Sequence, residues 1–227
     1  NIITIFPEVF PGVLGVSVLE KARKKNIWQL TTTDIKKFAD KKGNIDDAPF
    51  GGGPGMIIRP DVLQRSFKSA INNFDKKNLN NIEKIILTPV GEKLDAKLAE
   101  KFSRKSGMII VCGRYEGVDE RFIQANDLRK VSIGNYILSG GEAAAIVLSE
   151  SVIRLLPNVL GNSESKKIES FNNGLLEYPQ YTRPSEWNGL EVPKVLLSGN
   201  HKLILEWRKR KSQLITNNRT KNNKKNY

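Results

Sequence analysis

Apolar and polar positions alternate over residues 2–6 and 27–34, the period of two expected of strands, and the intervening stretch Val13–Lys25 has helical spacing. A polar, glycine-rich segment, Asp46–Gly55 (DDAPFGGGPG), follows as a loop. Pro60 then opens a helix, PDVLQRSFKSAINNF, in the first-turn place that proline favours. Lys84–Thr88 (KIILT) and Met108–Cys112 (MIIVC) read as strands, with an amphipathic helix between them near Lys93–Ser103. Val131, Ile133, Ile137 and Leu138 form a last apolar, β-branched run that passes into Gly140-Gly141, and Glu142–Leu156 reads as a helix. Strands alternating with helices predict an α/β domain with a mostly parallel sheet covered on both faces.

The texture changes after Pro157. Residues 161–171, beginning GNSESKK, hold too little apolar content to pack and read as a flexible linker. Residues 172–215 are turn-rich and end in a basic helix, His201–Leu214, so they read as a small helical domain. The Lys/Asn-rich remainder, 216–227, reads as a disordered tail, and the first 160 residues form the main domain.

Charge narrows the partners. The 227 residues carry 37 Lys and Arg against 24 Asp and Glu, a net +13 that favours a polyanion, with nucleic acid first. A Lys- and Asn-biased composition explains the same excess, so charge supports a function without naming one. The apolar stretch Ala143–Leu160 is interrupted by Ser149, Glu150 and Arg154, which argues against a membrane span. The opening NIITIFPEVF does not look like an export signal, and the single Cys112 excludes an internal disulfide, so a cytoplasmic location is expected. One cysteine and one histidine (His201) leave no basis for a Cys/His metal site.

Three segments at strand ends, Thr88–Glu92, Cys112–Asp119 and Ile133–Gly141, are placed to converge outside the carboxyl edge of a parallel sheet. They offer backbone N–H and C=O groups, a few apolar walls and the Glu116 carboxylate, which suits a neutral-to-cationic adenosyl ligand. Ordinary turn glycines explain the same residues. No GxxxxGK[ST] loop is present, and no GxGxxG opens a helix with an acidic residue about 20 positions later.

The order of several further blocks is more specific. IFPEVF, DDAPFGGGPGM, CGRYEGVDER, SIGNYILSGGE, RLLPNVLG, GLLEYPQYTRP, VPKVLLSGNH and Trp207-Arg208 run from the N-terminus to about Leu214. In that order they resemble the bacterial tRNA (guanine-N1)-methyltransferases of the SPOUT class, which modify the guanosine at position 37, just 3′ of the anticodon. The resemblance implies a deep trefoil knot in the C-terminal part of the α/β domain, a topology that general rules make rare. It also implies S-adenosylmethionine bound in that knot, a homodimer with the active site at the subunit interface, and tRNA as substrate. Magnesium is implied to assist without a fixed protein cage.

Carried onto this chain, the resemblance places the cofactor against Leu87, Thr88, Pro89, Gly91, Gly113, Tyr115 and Glu116. It adds Ile133, Gly134, Asn135, Tyr136, Ile137, Leu138, Gly140 and Gly141. N1 of guanine normally carries a proton, so its methylation needs a base, and a guanidinium near O6 stabilises the charge that develops. By resemblance the base is Glu169 and the guanidinium is Arg154. The family usually has aspartate where this chain has Glu169, Glu177 and Asn135, and the extra methylene of Glu169 changes reach while keeping similar basicity. Taken without the resemblance, Glu169 is a solvated linker charge and Arg154 an i,i+4 partner of Glu150. The basic run Arg208–Lys211 beside Trp207 suits RNA phosphate contact. A non-catalytic RNA-binding protein on the same scaffold is the main rival reading. An α/β enzyme for small nucleotides would need a phosphate loop that the chain lacks.

Overall fold

The computed structural model describes residues 1–160, 170–171 and 174–225, with side-chain surroundings as far as Lys221. The chain divides into two compact units, Asn1–Leu160 and Gly161–Tyr227. The first is built on a five-stranded sheet of β1 (Ile2–Thr4), β2 (Thr32–Asp34), β5 (Ile82–Lys93), β6 (Gly107–Cys112) and β7 (Arg129–Ser132). Their spatial order is β2-β1-β6-β5-β7, and every adjacent pair is parallel. A small antiparallel pair, β3 (Asp46–Asp47) and β4 (Ile57–Ile58), frames the glycine-rich loop.

The strands are apolar on both sides, as a sheet covered on both faces requires. Ile3, Ile86, Ile109 and Val111 point into one core with Leu63 and Phe67 of α2 (Pro60–Ile71) and Phe122 of α4 (Glu120–Ala125). Ile2, Ile85, Ile110 and Cys112 point into the other, with Phe102 of α3 (Ala96–Ser103) and Leu148 of α5 (Glu142–Ile153). A third cluster packs Leu19 and Ala22 of α1 (Ser17–Lys24) against Trp28 and Ile153. The expected mostly parallel α/β sheet is present.

Several boundaries differ from expectation for local reasons. The helix expected from Val13 is a 3-10 turn over Gly12–Gly15, an extended Val16, and then α1. Strand β5 continues through the polar GEK to Lys93, because backbone pairing with β7 holds it there, and α3 starts only after Asp95 caps the Leu98 N–H at 2.8 Å. The apolar run after Val131 is not a strand. Strand β7 ends at Ser132, whose hydroxyl donates to the Gly134 carbonyl at 3.1 Å and turns the chain into a loop. Ile137 is 79% exposed there, so its apolarity marks an open lip rather than a core.

In the second unit, β8 (Glu186–Trp187) and β9 (Leu190–Glu191) form a hairpin whose Asn188 and Gly189 both have positive φ, as a tight primed turn demands. A short α6 (Lys194–Leu197) precedes α7 (His201–Lys225). Asn200 caps α7, its side-chain oxygen accepting from the Leu203 N–H at 3.2 Å. Helix α7 runs through the Lys/Asn-rich stretch as far as Lys225. Thr216 fastens that extension: its hydroxyl donates to the Ser212 carbonyl at 2.7 Å and accepts from the Leu176 N–H at 2.9 Å. The Arg219 guanidinium also lies 5.3 Å from the centre of the Phe171 ring.

Two features of the first unit hold the ends of β5, β6 and β7 together. Between Leu87 and Glu92, β5 shifts register against β7, so that Val131 is paired with both residues. Gly91 crosses β7 so closely that a Cβ on it would fall on the Lys130–Val131 backbone. The second feature is a buried charge pair. Glu142 accepts from the Thr4 hydroxyl at 2.7 Å and from Arg114 Nε at 3.0 Å, while Arg114 Nη1 donates to the Ser139 carbonyl at 3.0 Å. The Arg114 guanidinium also sits over the Phe6 ring at 4.5 Å.

Replacing Gly91 by alanine should cost about 1–3 kcal/mol in urea denaturation, because the backbone beneath it has no flexible atom to move aside. An unchanged midpoint and slope would show that the crossing is loose. Arg114→Met should cost more than Glu142→Gln, about 3 kcal/mol, because it strands a buried carboxylate whereas the glutamine keeps the Thr4 bond. Equal losses from the two variants would contradict that account.

Candidate methyl-donor site

The carboxyl ends of β5, β6 and β7 open into a cavity of about 360 Å3, a size suited to a small organic ligand or cofactor. The expected residues divide cleanly by loop. Leu87, Thr88 and Pro89 line it from the register break within β5, joined by Val90, and Gly113, Tyr115 and Glu116 line it from the end of β6. Ile133, Gly134, Tyr136, Ile137, Leu138, Gly140 and Gly141 line it from the segment between β7 and α5. Gly91 and Asn135 do not line it: Gly91 is spent on the crossing of β7, and Asn135 sits exposed on the outer side of its loop.

Bare backbone makes the floor. The Gly141 N–H donates to the Gly113 carbonyl at 2.9 Å. A Cβ on Gly141 would stand 2.7 Å from Cys112 Cα, and one on Gly140 would strike the Arg114 side chain. These glycines are therefore required by close approach, and the space above them is left to a ligand. Gly141 also caps α5, which places the helix N-terminus at the floor. The rim is apolar and open, with Val90 79% and Tyr136 53% exposed.

The Glu116 wall is built by the glycine-rich loop. The Glu116 N–H donates to the Met56 carbonyl at 3.0 Å, and the Ile58 N–H donates to the Gly117 carbonyl at 3.1 Å. Gly55, at φ +82°, lies so close to the Glu116 side chain that its Cβ would be 2.6 Å from Oε1. Tyr115 has a positive φ of 58°, which turns its ring toward Asp46. Burial first, and then the Asp46 charge, raise its phenol pKa. Glu116, the carboxylate expected here, lines the cavity and is exposed, and Glu120 lines it too. The cradle fits an adenosyl group with a cationic end: apolar walls, unmasked backbone amides and the Glu116 carboxylate, while the other charged lining residues are paired, Arg114 with Glu142 and Lys130 with Glu120.

Cys112 lies beneath the floor and is fully buried. Burial, and secondarily the Glu142 charge, push its thiol well above the ordinary range, so it has no nucleophilic role. Among the described residues no group of three His, Cys, Asp or Glu side chains is placed to hold a metal ion.

Of the two residues expected to act on the base, Arg154 does not line this cavity. Glu169 lies outside the described residues. Arg154 caps the far end of α5, about 18 Å from the Gly141 end by helical rise. Sequence reasoning missed Arg114, Glu142 and Arg129. Arg114 and Glu142 were quoted within CGRYEG and SGGE, but nothing in spacing pairs residues 28 positions apart.

In the second unit, the basic cluster splits by environment. Arg208 stacks on Tyr178 at 4.9 Å and Lys211 on Trp207 at 5.8 Å, whereas Lys209 and Arg210 are exposed.

The family described as tRNA (Guanine-1)-methyltransferase TrmD matches residues 1–226. A tRNA (guanine-N(1)-)-methyltransferase of Bartonella henselae is 48% identical over 96% of this chain and 91% of its own length. Proteins of the same description from Ruegeria pomeroyi and Ehrlichia canis are 46% and 48% identical, over 96% of this chain and 89% and 92% of their own lengths. With the family match covering nearly the whole chain, and a cavity built from the segments that carry its motifs, this chain belongs to the tRNA (guanine-1)-methyltransferase family.

Proposed function

We propose that the chain transfers the methyl group of S-adenosyl-L-methionine to N1 of the guanosine at position 37 of tRNA. The observation that carries this reading is the glycine-floored cavity at the ends of β5, β6 and β7, in a chain of this family. When bound, the cofactor supplies an electrophilic methyl group on a cationic sulfur. The chain's own residues do the rest. Backbone groups of the 133–141 segment hold the adenine edge, and Glu116 faces the cationic end.

In this reading Glu169 accepts the N1 proton as the N1–methyl bond forms and the sulfur–methyl bond breaks, its electron pair staying on the departing neutral thioether, and Arg154 stabilises charge developing at O6. The target base stands in a single-stranded loop, so extruding it costs only about a few kcal/mol. No step here uses a metal, and magnesium assistance remains an expectation from the resemblance.

The span of α5 supports a homodimer, because a cavity at its start and a guanidinium at its end serve one reaction only if two copies pair. The surface of α5 agrees. It is apolar on nearly all sides, yet Val147 is 45% exposed. Beside it a Cβ added to Gly12 would stand 3.5 Å from the Ile146 side chain, and Val13 is 55% and Val16 57% exposed. A second copy is the proposed cover. The knot is supported by the two tight backbone passages, Gly91 over Val131 and Gly141 over Cys112.

We assign residues 1–160 to the cofactor domain, 161–171 to the linker and 172–215 to tRNA binding, where the exposed Lys209 and Arg210 are suited to phosphate contact. No described helix is long and apolar enough to cross a membrane, and the reaction's substrate is consistent with a cytoplasmic site.

Titration calorimetry should detect S-adenosylmethionine binding, and a tRNA transcript with guanine at position 37 should be methylated while one with adenine there is not. Binding without methyl transfer would favour a non-catalytic RNA-binding role. Glu169→Ala should lower turnover by roughly 100-fold or more while the cofactor Kd stays within about twofold. Normal turnover in that variant would remove Glu169 from the mechanism.

A further inference from the structure

The cavity's β5 lip is a break in a strand. Residues up to Leu87 pair with β7, Thr88–Gly91 leave the ladder, and pairing resumes at Glu92 over Val131, the residue already used by Leu87. The returning limb has little ladder to fix it: two paired positions, Glu92 and Lys93, and the Leu94 N–H donating to the Ser132 carbonyl at 2.7 Å. A short, weakly specified pairing is prone to slip, and a one-residue slip inverts every side chain on the limb.

One guanidinium spans this break. Arg129 Nε donates to Glu83 Oε1 at 2.6 Å, on the limb before the loop, and Nη1 donates to Glu92 Oε1 at 2.5 Å, on the limb after it. Arg129 and Val131 lie two apart on β7 and so share one face of the strand. Phe102 lies under the guanidinium at 6.0 Å, and Lys105 approaches the second oxygen of Glu83 at 3.5 Å. The Glu83 side chain is only 10% exposed, whereas Glu92 is 48% exposed. The Glu83 pairing therefore anchors the arginine, and the Glu92 pairing is the adjustable tie.

We propose that Arg129 is a positioning residue for the methyl donor, a strap that joins both limbs of β5 and sets the shape of the Thr88–Val90 lip of the cavity. This rests on the reading of that cavity as the donor site. Arg129 touches no cavity atom, and its effect passes through Glu92 and the loop. Lysine has the charge but not the fork, so it can keep the Glu83 pairing without reaching Glu92.

The test is calorimetric binding of S-adenosylmethionine and initial rates on full-length protein. Glu92→Gln, which removes only the exposed tie, should raise the donor Kd and KM roughly threefold, and Arg129→Met roughly tenfold. Arg129→Lys should fall between wild type and Arg129→Met. In all three, kcat at saturating donor and the KM for tRNA should stay within about twofold of wild type. Glu100→Gln, which breaks the exposed Arg104 pair elsewhere on the surface, should change nothing.

Unchanged donor affinity in both Glu92→Gln and Arg129→Met, or a loss confined to kcat, would overturn the strap. Should Arg129→Met fail to fold, Glu92→Gln decides alone. Wild-type protein that binds no S-adenosylmethionine would instead overturn the donor reading, and the strap with it.

Discussion

The Glu142 carboxylate, 4% exposed at the start of α5, constrains everything around the cavity. An unpaired charge at that depth costs several kcal/mol, so its two partners must be held in place whenever the unit is folded. Thr4 ends β1 and Arg114 follows β6, so the pairing draws two strand ends to one helix start. Its position in the first turn of α5 adds a favourable interaction with the helix dipole. The second arm of Arg114 reaches the Ser139 carbonyl and draws in the last loop. Gly140 is a consequence of this arrangement, because Arg114 lies where its Cβ would stand. The cavity floor is thus fixed from beneath by charge, leaving its upper side free for a ligand.

The parts of the fold that sequence patterning reveals are those where burial and apolarity coincide. Ile85, Ile86, Ile109 and Ile110 are buried from both faces, and their runs identify β5 and β6 directly. Patterning fails where the two separate. Ile137 and Leu138 are apolar and exposed because they edge a cavity, so they extended a strand that in fact stops at Ser132. The polar Glu92 and Lys93 are strand because backbone hydrogen bonds, which carry no sequence signature, keep them on β7. Helix α4 is too short to show a period, and α7 passes Leu214 because Thr216 is tied to Leu176, forty residues away.

Much of the site was legible as three glycine-bearing loops, for a physical reason. Close backbone passage demands glycine, and glycine clusters at strand ends are visible in any sequence. The supports were not legible. Glu142 lies 28 residues from Arg114, and Arg129 lies 46 and 37 residues from Glu83 and Glu92. Such charges look like ordinary surface residues until the strands are assembled. The basic excess has the same ambiguity. In α7, Arg208 and Lys211 are drawn onto aromatic rings, so adjacent positions in one run of four differ in their availability to phosphate.

Glu169 and Glu177, the two glutamates where the resemblance expects aspartate, bear on one another. The Glu177 N–H donates to the Ser170 hydroxyl at 3.0 Å, and the Phe171 N–H donates to the Leu175 carbonyl at 2.7 Å. The chain immediately after Glu169 is thereby bonded to the residues around Glu177. The Glu177 carboxylate is engaged as well, accepting from Gln180 Nε2 at 2.7 Å. One added methylene gives each side chain roughly one more rotatable bond to fix, and with it a different reach from the same Cα. With Glu169 as the proposed base, a lone lengthening at position 169 would have to be absorbed at the reacting nitrogen. A second lengthening on the segment bonded to its neighbour offers a local adjustment instead: the same turn can settle slightly farther from the base and leave the carboxylate oxygen where an aspartate would have held it. On this argument Glu169→Asp alone should be less active than the native pair, and Glu169→Asp with Glu177→Asp should recover what the single change loses, as methylation rates would register.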